Sequence, residues 1–547
     1  MKLNKYISVL FVGLVLGASC TKLSEIVPES GTMLKSQLQT TNAAVPSRSE
    51  ASFNGLFNPL GVPNYYGYGT PDDFGVLMML FCNDLESADA TASDNNYNWF
   101  SVCGEYSSRN ANYRNPVIRY RAPYSIIASV NDFLAGFSDD VEDPDILAMI
   151  GQAKSLRAYA YMLLASDFQF NYTDHKDDLC VPICSPDTED PTHNPRATVA
   201  QIYEIIMNDL NDAVEYLDGF ERSSKKYIDQ QVAYGLRARA NLNMANYEAA
   251  IADAEAAAEG YTPATIDEVS KPTFQDINEH NWIWGFDMTA DIAKAFRYAT
   301  TSSWLRSFSG WAYAAGTATY TCINKILYDK IAKTDVRKGW WVDENLYSPL
   351  LDGLSWDAGK AGVATGQGIA DFEYDDKLAF VPYTNVKFGC TPIGTTDNAE
   401  DMPLMRVEEM ILIQAEGYLK SGNDAKAKQI LEDFVKTYRD PAYTVSFGGR
   451  NLADEIWFQR RVELWGEGFG IHDTKRLNKP LVRFLGTPES TNVSPAFRFN
   501  MAADDGWLLM RFSNSELNTN FSIVDNTNGE LPKMDQNGDL RDGVTNN

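Results

Sequence analysis

Histidine is scarce in this chain. Its four histidines (His175, His193, His280, His472) among 547 residues sit in unrelated contexts, with no H-E-x-x-H helix and no cluster suited to a metal. No G-x-S-x-G elbow is present and no Cys–His pairing is suggested. Positive charge is the second shortage: 47 Lys and Arg stand against 74 Asp and Glu, a formal charge of −27, with no basic stripe to offset it. Such a surface repels phosphate backbones and argues against a nucleic-acid partner. Long apolar runs are also missing. The run Tyr6–Leu16 is too short to cross a bilayer, and "FGVLMMLF" reads as a core segment.

Cysteine spacing is equally uninformative about metals. Cys82, Cys103, Cys180, Cys184, Cys322 and Cys390 fit no zinc knuckle, and Pro182 inside "CVPIC" prevents a clean helical pair. Export makes disulfides possible, their connectivity is undecidable, and buried thiols are the expectation. "DQNGDLRDG" from Asp535 has calcium-loop oxygens, but Leu540 occupies the sixth position where glycine is needed, so a polar tail without metal is expected. No cofactor is implied.

Hydrophobic residues, by contrast, make up 44%, enough for a sizeable core. Aromatics reach 12%, with 11 Trp and 28 Tyr, and surface Trp and Tyr often mark recognition sites. "MKLNKYISVLFVGLVLGASC" begins with Lys2 and Lys5, continues apolar, and ends in small residues before Cys20, the layout of a secretory signal. Its end resembles a bacterial lipoprotein box, with Leu16 one place earlier than usual. The expectation is a signal peptide over 1–19, lipid on Cys20, a non-packing tether over 20–50, and one domain over 51–547.

Helical patterns dominate that domain. "TVAQIYEIIMNDLNDAVEYL" opens with Thr198 and Gln201, a capping box, and lines Ile202, Ile205, Ile206, Leu210, Ala213, Val214 and Leu217 on one face. "AKSLRAYAYMLL" and "AYGLRARANLNM" share A-x-x-L-R-A-x-A at a separation of 80, room for two repeat units with loops, and the second precedes "NYEAAIADAEAAA". A third pair starts at Arg406. The fold class is therefore mainly α, a tetratricopeptide-like helix-pair scaffold with long loop-rich insertions. Helix pairs fall at about 125–260 and 403–480, loops at about 60–120 and 272–401. The loops carry "NYYGYGTPDDFG", "NNYNWF", "NWIWGF", "SSWLRSFSGWAYAAG", "KGWWVDENLY" and "SWDAG". Aromatics beside Asn and Asp suit sugars, whose apolar C–H faces stack on rings while their hydroxyls take hydrogen bonds. Loops this long are usually functional.

"RRVELWGEGFGIHDTKR" mixes acids, bases and glycines, yet its glycines are read as following a helix, leaving no helix N-terminus for a phosphate. A charged network locking the last helix onto the repeats is the expectation. With "IWFQ" before it, the stretch resembles the C-terminal signature of the SusD/RagB family through Arg460, Arg461, Glu463, Leu464, Glu467, Gly468, Asp473 and Arg476. Gln459, Gly470 and Thr474 depart from the pattern. "TTNAAVPSRSEASFNGLF", "LRAYAYMLLASDFQFNYT", "RATVAQIYEIIMNDLNDAVEYL" and "MPLMRVEEMILIQAEGYL" are similar to further family segments in the family's order.

The resemblance implies a non-catalytic glycan-binding lipoprotein, anchored on the outer membrane surface, that captures oligosaccharides for a SusC-type TonB-dependent transporter. Two alternatives stay open: the same fold binding peptides or glycopeptides, and a surface glycoside hydrolase. The family carries no fixed ligand motif, so candidate contacts rest on composition and loop position: Tyr66, Tyr68, Trp99, Trp304, Trp311 and Tyr313, with Asn98 as polar partner.

Overall fold

In the computed structural model, the residues described are 38–546 apart from 40, 43–45, 93–98, 110, 112, 139, 186–187, 189, 310–311, 317–319, 353–379 and 446–448. Cys20, Asn98, Trp311 and "SWDAG" lie outside the described residues.

The helices that build the scaffold are α1 (Pro46–Gly55), α2 (Gly75–Glu86), α3 (Arg114–Leu134), α4 (Pro144–Phe168), α5 (Val199–Tyr216) and α6 (Gln230–Asn243). They continue as α7 (Tyr247–Ala258), α8 (Val407–Lys420), α9 (Asp424–Tyr438), α10 (Leu452–Glu463) and α11 (Gly470–Arg476). From α3 to α9 each helix packs on its predecessor, and α10 closes on α8 and α9. That stacking is the helix-pair scaffold read from the periodicity. The Thr198–Gln201 capping box forms, and Ile202, Ile206, Leu210, Ala213 and Leu217 are fully buried along α5.

The shared A-x-x-L-R-A-x-A pattern has a physical meaning. In α4, Arg157 clamps Asp209 of α5 with Nε and an Nη at 2.8 and 2.7 Å; in α6, Arg237 clamps Asp253 of α7 at 3.0 and 2.7 Å. Ala153, Ala158, Ala160, Ala233, Ala238 and Ala240 around the two arginines are wholly buried, letting neighbouring helices approach. The spacing of 80 holds one helix pair, not two. It is stretched by a hairpin of β1 (Leu179–Pro182) and β2 (Arg196–Thr198) that carries "CVPIC" in extended form.

Three further expectations change. Gln39 and Asn42, within the supposed tether, donate to the carbonyls of Phe137 and Gly136 just past α3, and α1 begins at Pro46, so the end of that segment packs. Helix α3 starts at Arg114, inside the region read as loop, because Pro116 and Pro123 mask its periodicity. The described residues of the region 272–401 pack into the body rather than forming an open set of aromatic loops. The region is tied at its ends by β3 (Trp282–Phe286) pairing antiparallel with β4 (Met402–Arg406). Trp282, Trp284, Trp304, Trp340 and Trp341 are fully buried there. Several satisfy their N–H on distant groups: Trp284 on the Lys226 carbonyl (3.1 Å), Trp340 on that of Val269 (3.0 Å).

The charged signature is buried. Glu463, at the end of α10, accepts from Arg439 at 2.8 Å on each oxygen and pairs with Arg337 (3.3 Å) and Arg406 (3.2 Å). Arg406 also meets Glu467 (2.8 Å) and Glu408 (2.9 Å), Lys387 meets Glu467 (2.8 Å), and Arg337 meets Asp335 (2.7 Å). Four cations thus face four carboxylates. Burial alone would raise the Glu463 carboxyl, but Arg439, Arg406 and Arg337 hold it well below the usual carboxylate range. Removing one partner of such a cluster leaves uncompensated buried charge. Glu463→Ala should therefore cost about 3–5 kcal/mol, read as a lower denaturant midpoint or as loss of soluble protein. An unchanged midpoint would refute the hub role.

Candidate functional site

The signature reaches the candidate site through α2. Arg461 bonds Asp89 just beyond α2 (2.9 Å from Nε) and Asp542 near the C-terminus (2.7 Å). The C-terminal segment is therefore docked, not a free tail, and Asp535 in it is engaged by Arg498. The glycines after α10 hold α2 from the other side. Gly470 opens α11, so the glycines do precede a helix, contrary to the sequence expectation. The N–H groups of Gly468 (2.8 Å) and Gly470 (3.3 Å) close on the carboxyl oxygens of Asp84, an internal acid that fills the cradle. Gly468 sits at φ +88°, and a Cβ there would meet Leu80 at 2.6 Å, so only glycine fits.

Helix α2, gripped at Asp84 and Asp89, leads directly from loop 64–73 and into the Trp99 segment. In the first loop, both Asp73 oxygens accept backbone N–H groups, from Tyr66 (3.3 Å) and Tyr68 (3.0 Å), and Asn64 accepts from Gly69 (2.7 Å). These bonds curl the loop and stand its tyrosines up. Arg121 of α3 lies 4.7 Å from the Tyr66 ring and donates to the Tyr68 hydroxyl at 2.9 Å. Arg114 lies 4.8 Å over the Tyr68 ring and 3.7 Å from Asp72. Burial raises both Asp72 and Asp73 above the usual carboxylate range.

The second group centres on Tyr313. Its hydroxyl accepts from the Trp99 indole N–H at 3.1 Å, and its ring lies 5.0 Å from Trp304 and 5.5 Å from Tyr298. The two groups meet where the Trp304 indole donates to the Pro71 carbonyl at 3.0 Å. Trp304 is only 1% exposed and packs its edge on Phe100 (4.6 Å), so it supports the face and offers no surface for stacking. Trp99 is 39% exposed; Tyr66, Tyr68 and Tyr313 are half-buried. Sequence reasoning missed Tyr65 (38% exposed, 5.0 Å from Tyr66), Tyr113 (43% exposed) and the two arginines. Arg114 and Arg121 stand seven residues apart, two helical turns, a signal available only once α3 is placed.

This is an aromatic face edged by guanidinium groups, suited to a ligand with apolar faces and many hydroxyls. The four histidines pair separately, with Asp178, Asp190, Glu268 and Asp167.

Residues 77–242 match the family model described as starch-binding associating with outer membrane, and residues 254–537 match that of the SusD family, SusD_RagB. The second match alone spans more than half of the chain. The chain belongs to the SusD/RagB family. Among solved structures it is similar to a SusD-like carbohydrate binding protein from Bacteroides vulgatus, at 22% identity, covering 87% of this chain and 97% of that one with a TM-score of 0.69. A SusD superfamily protein from Bacteroides thetaiotaomicron matches at 20% identity, 88% and 99% coverage and 0.67. A laminarin binding SusD-like protein matches at 16% identity, 88% and 99% coverage and 0.60. No curated sequence matches the chain. The family signature of this SusD/RagB chain thus holds α2, and α2 holds the loops that bear the aromatics.

The cradle titrates in a defined direction. Burial first, against the Gly468 and Gly470 N–H groups, raises Asp84 from 3.8 to about 7. Between those values the folded state keeps a proton that the unfolded chain has released, so this group makes stability fall as pH rises from about 4 to 7, with no further loss above. Asp84→Asn should flatten that limb in denaturation midpoints measured across pH. Parallel curves for wild type and variant would overturn the assignment.

Proposed function

We propose that this SusD/RagB chain is a non-catalytic surface lipoprotein that captures oligosaccharides on the aromatic face and passes them to a SusC-type TonB-dependent transporter. The observation that carries the reading is the pair of aromatic groups, Tyr65–Tyr66–Tyr68 and Trp99–Tyr313, each with one exposed ring (Tyr65, Trp99), joined through Pro71–Trp304 and edged by Arg114 and Arg121. Sugar rings stack on the exposed ring faces, and the guanidinium groups take hydroxyls. The family description and the carbohydrate-binding relatives support a glycan as ligand. No helix among the described residues is long and apolar enough to cross a membrane, and anchoring is proposed through lipid on Cys20 after removal of residues 1–19.

The two carboxylates buried behind the face favour binding over hydrolysis. Asp73 is committed to two backbone N–H groups, and Asp72 lies beside Arg114, so neither is presented as a free acid–base partner.

Calorimetry against starch-type and laminarin-type oligosaccharides, with a peptide pool as the other arm, tests the reading. Trp99→Ala and Tyr68→Ala should each weaken the best glycan by about 10-fold or more with Tm unchanged. Trp304→Ala, emptying a core position, should instead lower stability by about 3–5 kcal/mol. Binding of peptides with every glycan silent would replace the ligand class, and full affinity in both surface variants would move the site.

A further inference from the structure

Cys82 and Cys103 present a different chemistry at the same face. Cys82 lies in the last turns of α2, and Cys103 in the helical turn Ser101–Gly104 that follows Trp99 and Phe100. Their Sγ atoms are 3.2 Å apart and both residues are wholly buried. Asn115 of α3, itself buried, aims its amide N–H groups at both sulfurs, at 3.2 and 3.0 Å, and Met78 lies 3.3 Å from the Cys82 sulfur. Two thiols from separate elements are held face to face by a third, with about 1 Å of approach left to a covalent S–S distance near 2.05 Å. The other four cysteines show no such sulfur neighbour among the described residues.

We propose that Cys82 and Cys103 are an oxidation site whose disulfide staples the Trp99 segment to α2. The oxidant is a disulfide of low molecular weight or of an oxidoreductase. One cysteine thiolate attacks a sulfur of that disulfide, forming a mixed disulfide and releasing the first thiolate. The second cysteine thiolate then attacks the protein sulfur of the mixed disulfide and releases the other. Two electrons pass from the protein to the oxidant, and the two cysteine protons end on the two released thiols. Burial first, then the neighbouring Cys82 sulfur, lifts Cys103 well above the usual thiol range. The folded dithiol is therefore slow to react, and closure belongs to the folding chain.

The staple encloses residues 82–103, including the ladder in which Ala90 and Thr91 pair with Ile323 and Cys322, and the ring of Phe100 that packs on Phe81 and Trp304. Its effect on the aromatic face is to fix the backbone on which Trp99 stands before any ligand arrives, lowering the ordering cost of binding. That consequence rests on the glycan-binding reading. An oxidising compartment follows from the proposed surface location. The bond itself rests on neither.

The test begins with the full mature chain, unfolded and reduced, then refolded with oxidised glutathione. It is next alkylated under denaturing conditions without reductant and mapped by mass spectrometry. The expected product is one linked peptide pair, Cys82 with Cys103, lower by the mass of two hydrogens, with Cys180, Cys184, Cys322 and Cys390 alkylated. Alkylation of both Cys82 and Cys103, or a link between either and another cysteine, overturns the proposal. Reducing the refolded wild type should lower Tm, and Cys103→Ser, already without the bond, should show no such response to reductant. An equal response in both would also overturn it. Glycan affinity, measured on oxidised and reduced samples, is a separate readout. A confirmed link with no glycan binding leaves the staple standing and removes only the ligand reading.

Discussion

The burial of Glu463 among three arginines is the constraint around which the molecule is arranged. Arg337, Arg406 and Arg439 come from three separated segments, and each must reach the same carboxylate with its remaining N–H groups satisfied. A charge cluster without solvent access tolerates no half-formed state, because one missing partner exposes the others to the desolvation penalty. The 272–401 region, the α8–α9 pair and α10 therefore assemble together or not at all. Glu467 extends the same logic to Lys387 and Arg406, and Asp473 to Arg460 and Arg476.

From that hub the order passes to α2. Arg461 holds Asp89, and the glycine turn before α11 holds Asp84, so the helix between the two aromatic loops is fixed at its C-terminal end by both charge and backbone N–H groups. The signature acts at a distance, by making α2 rigid enough that Tyr66, Tyr68 and Trp99 keep their relation to Tyr313.

Legibility divided along the same line. The stripe on α5, the capping box at Thr198 and the paired arginines Arg157 and Arg237 could be read because helix periodicity is a local property. The charged signature could be read as a network because so many acids and bases in one stretch of an apolar-rich helix require partners. Its glycines were misplaced because the turn they form is also the start of α11, a helix too short to show a period. Tyr65, Tyr113, Arg114 and Arg121 were invisible as a group, since two prolines hid the helix that carries the arginines.

The sequence by itself determined the family, the helix-pair scaffold and the polar network, since each depends on residue types at short, regular spacing. Only the tertiary structure decided which aromatics can meet a ligand. Trp304 and Trp340 have the same local surroundings of glycine, serine and aromatics as an exposed ring would have. They are buried because Pro71 and Val269, distant in the chain, supply the carbonyls and the cover. Trp99 has no such cover, and its indole is turned to Tyr313 at the surface. Exposure is set by what folds over a residue, and that information is not carried by its neighbours in sequence.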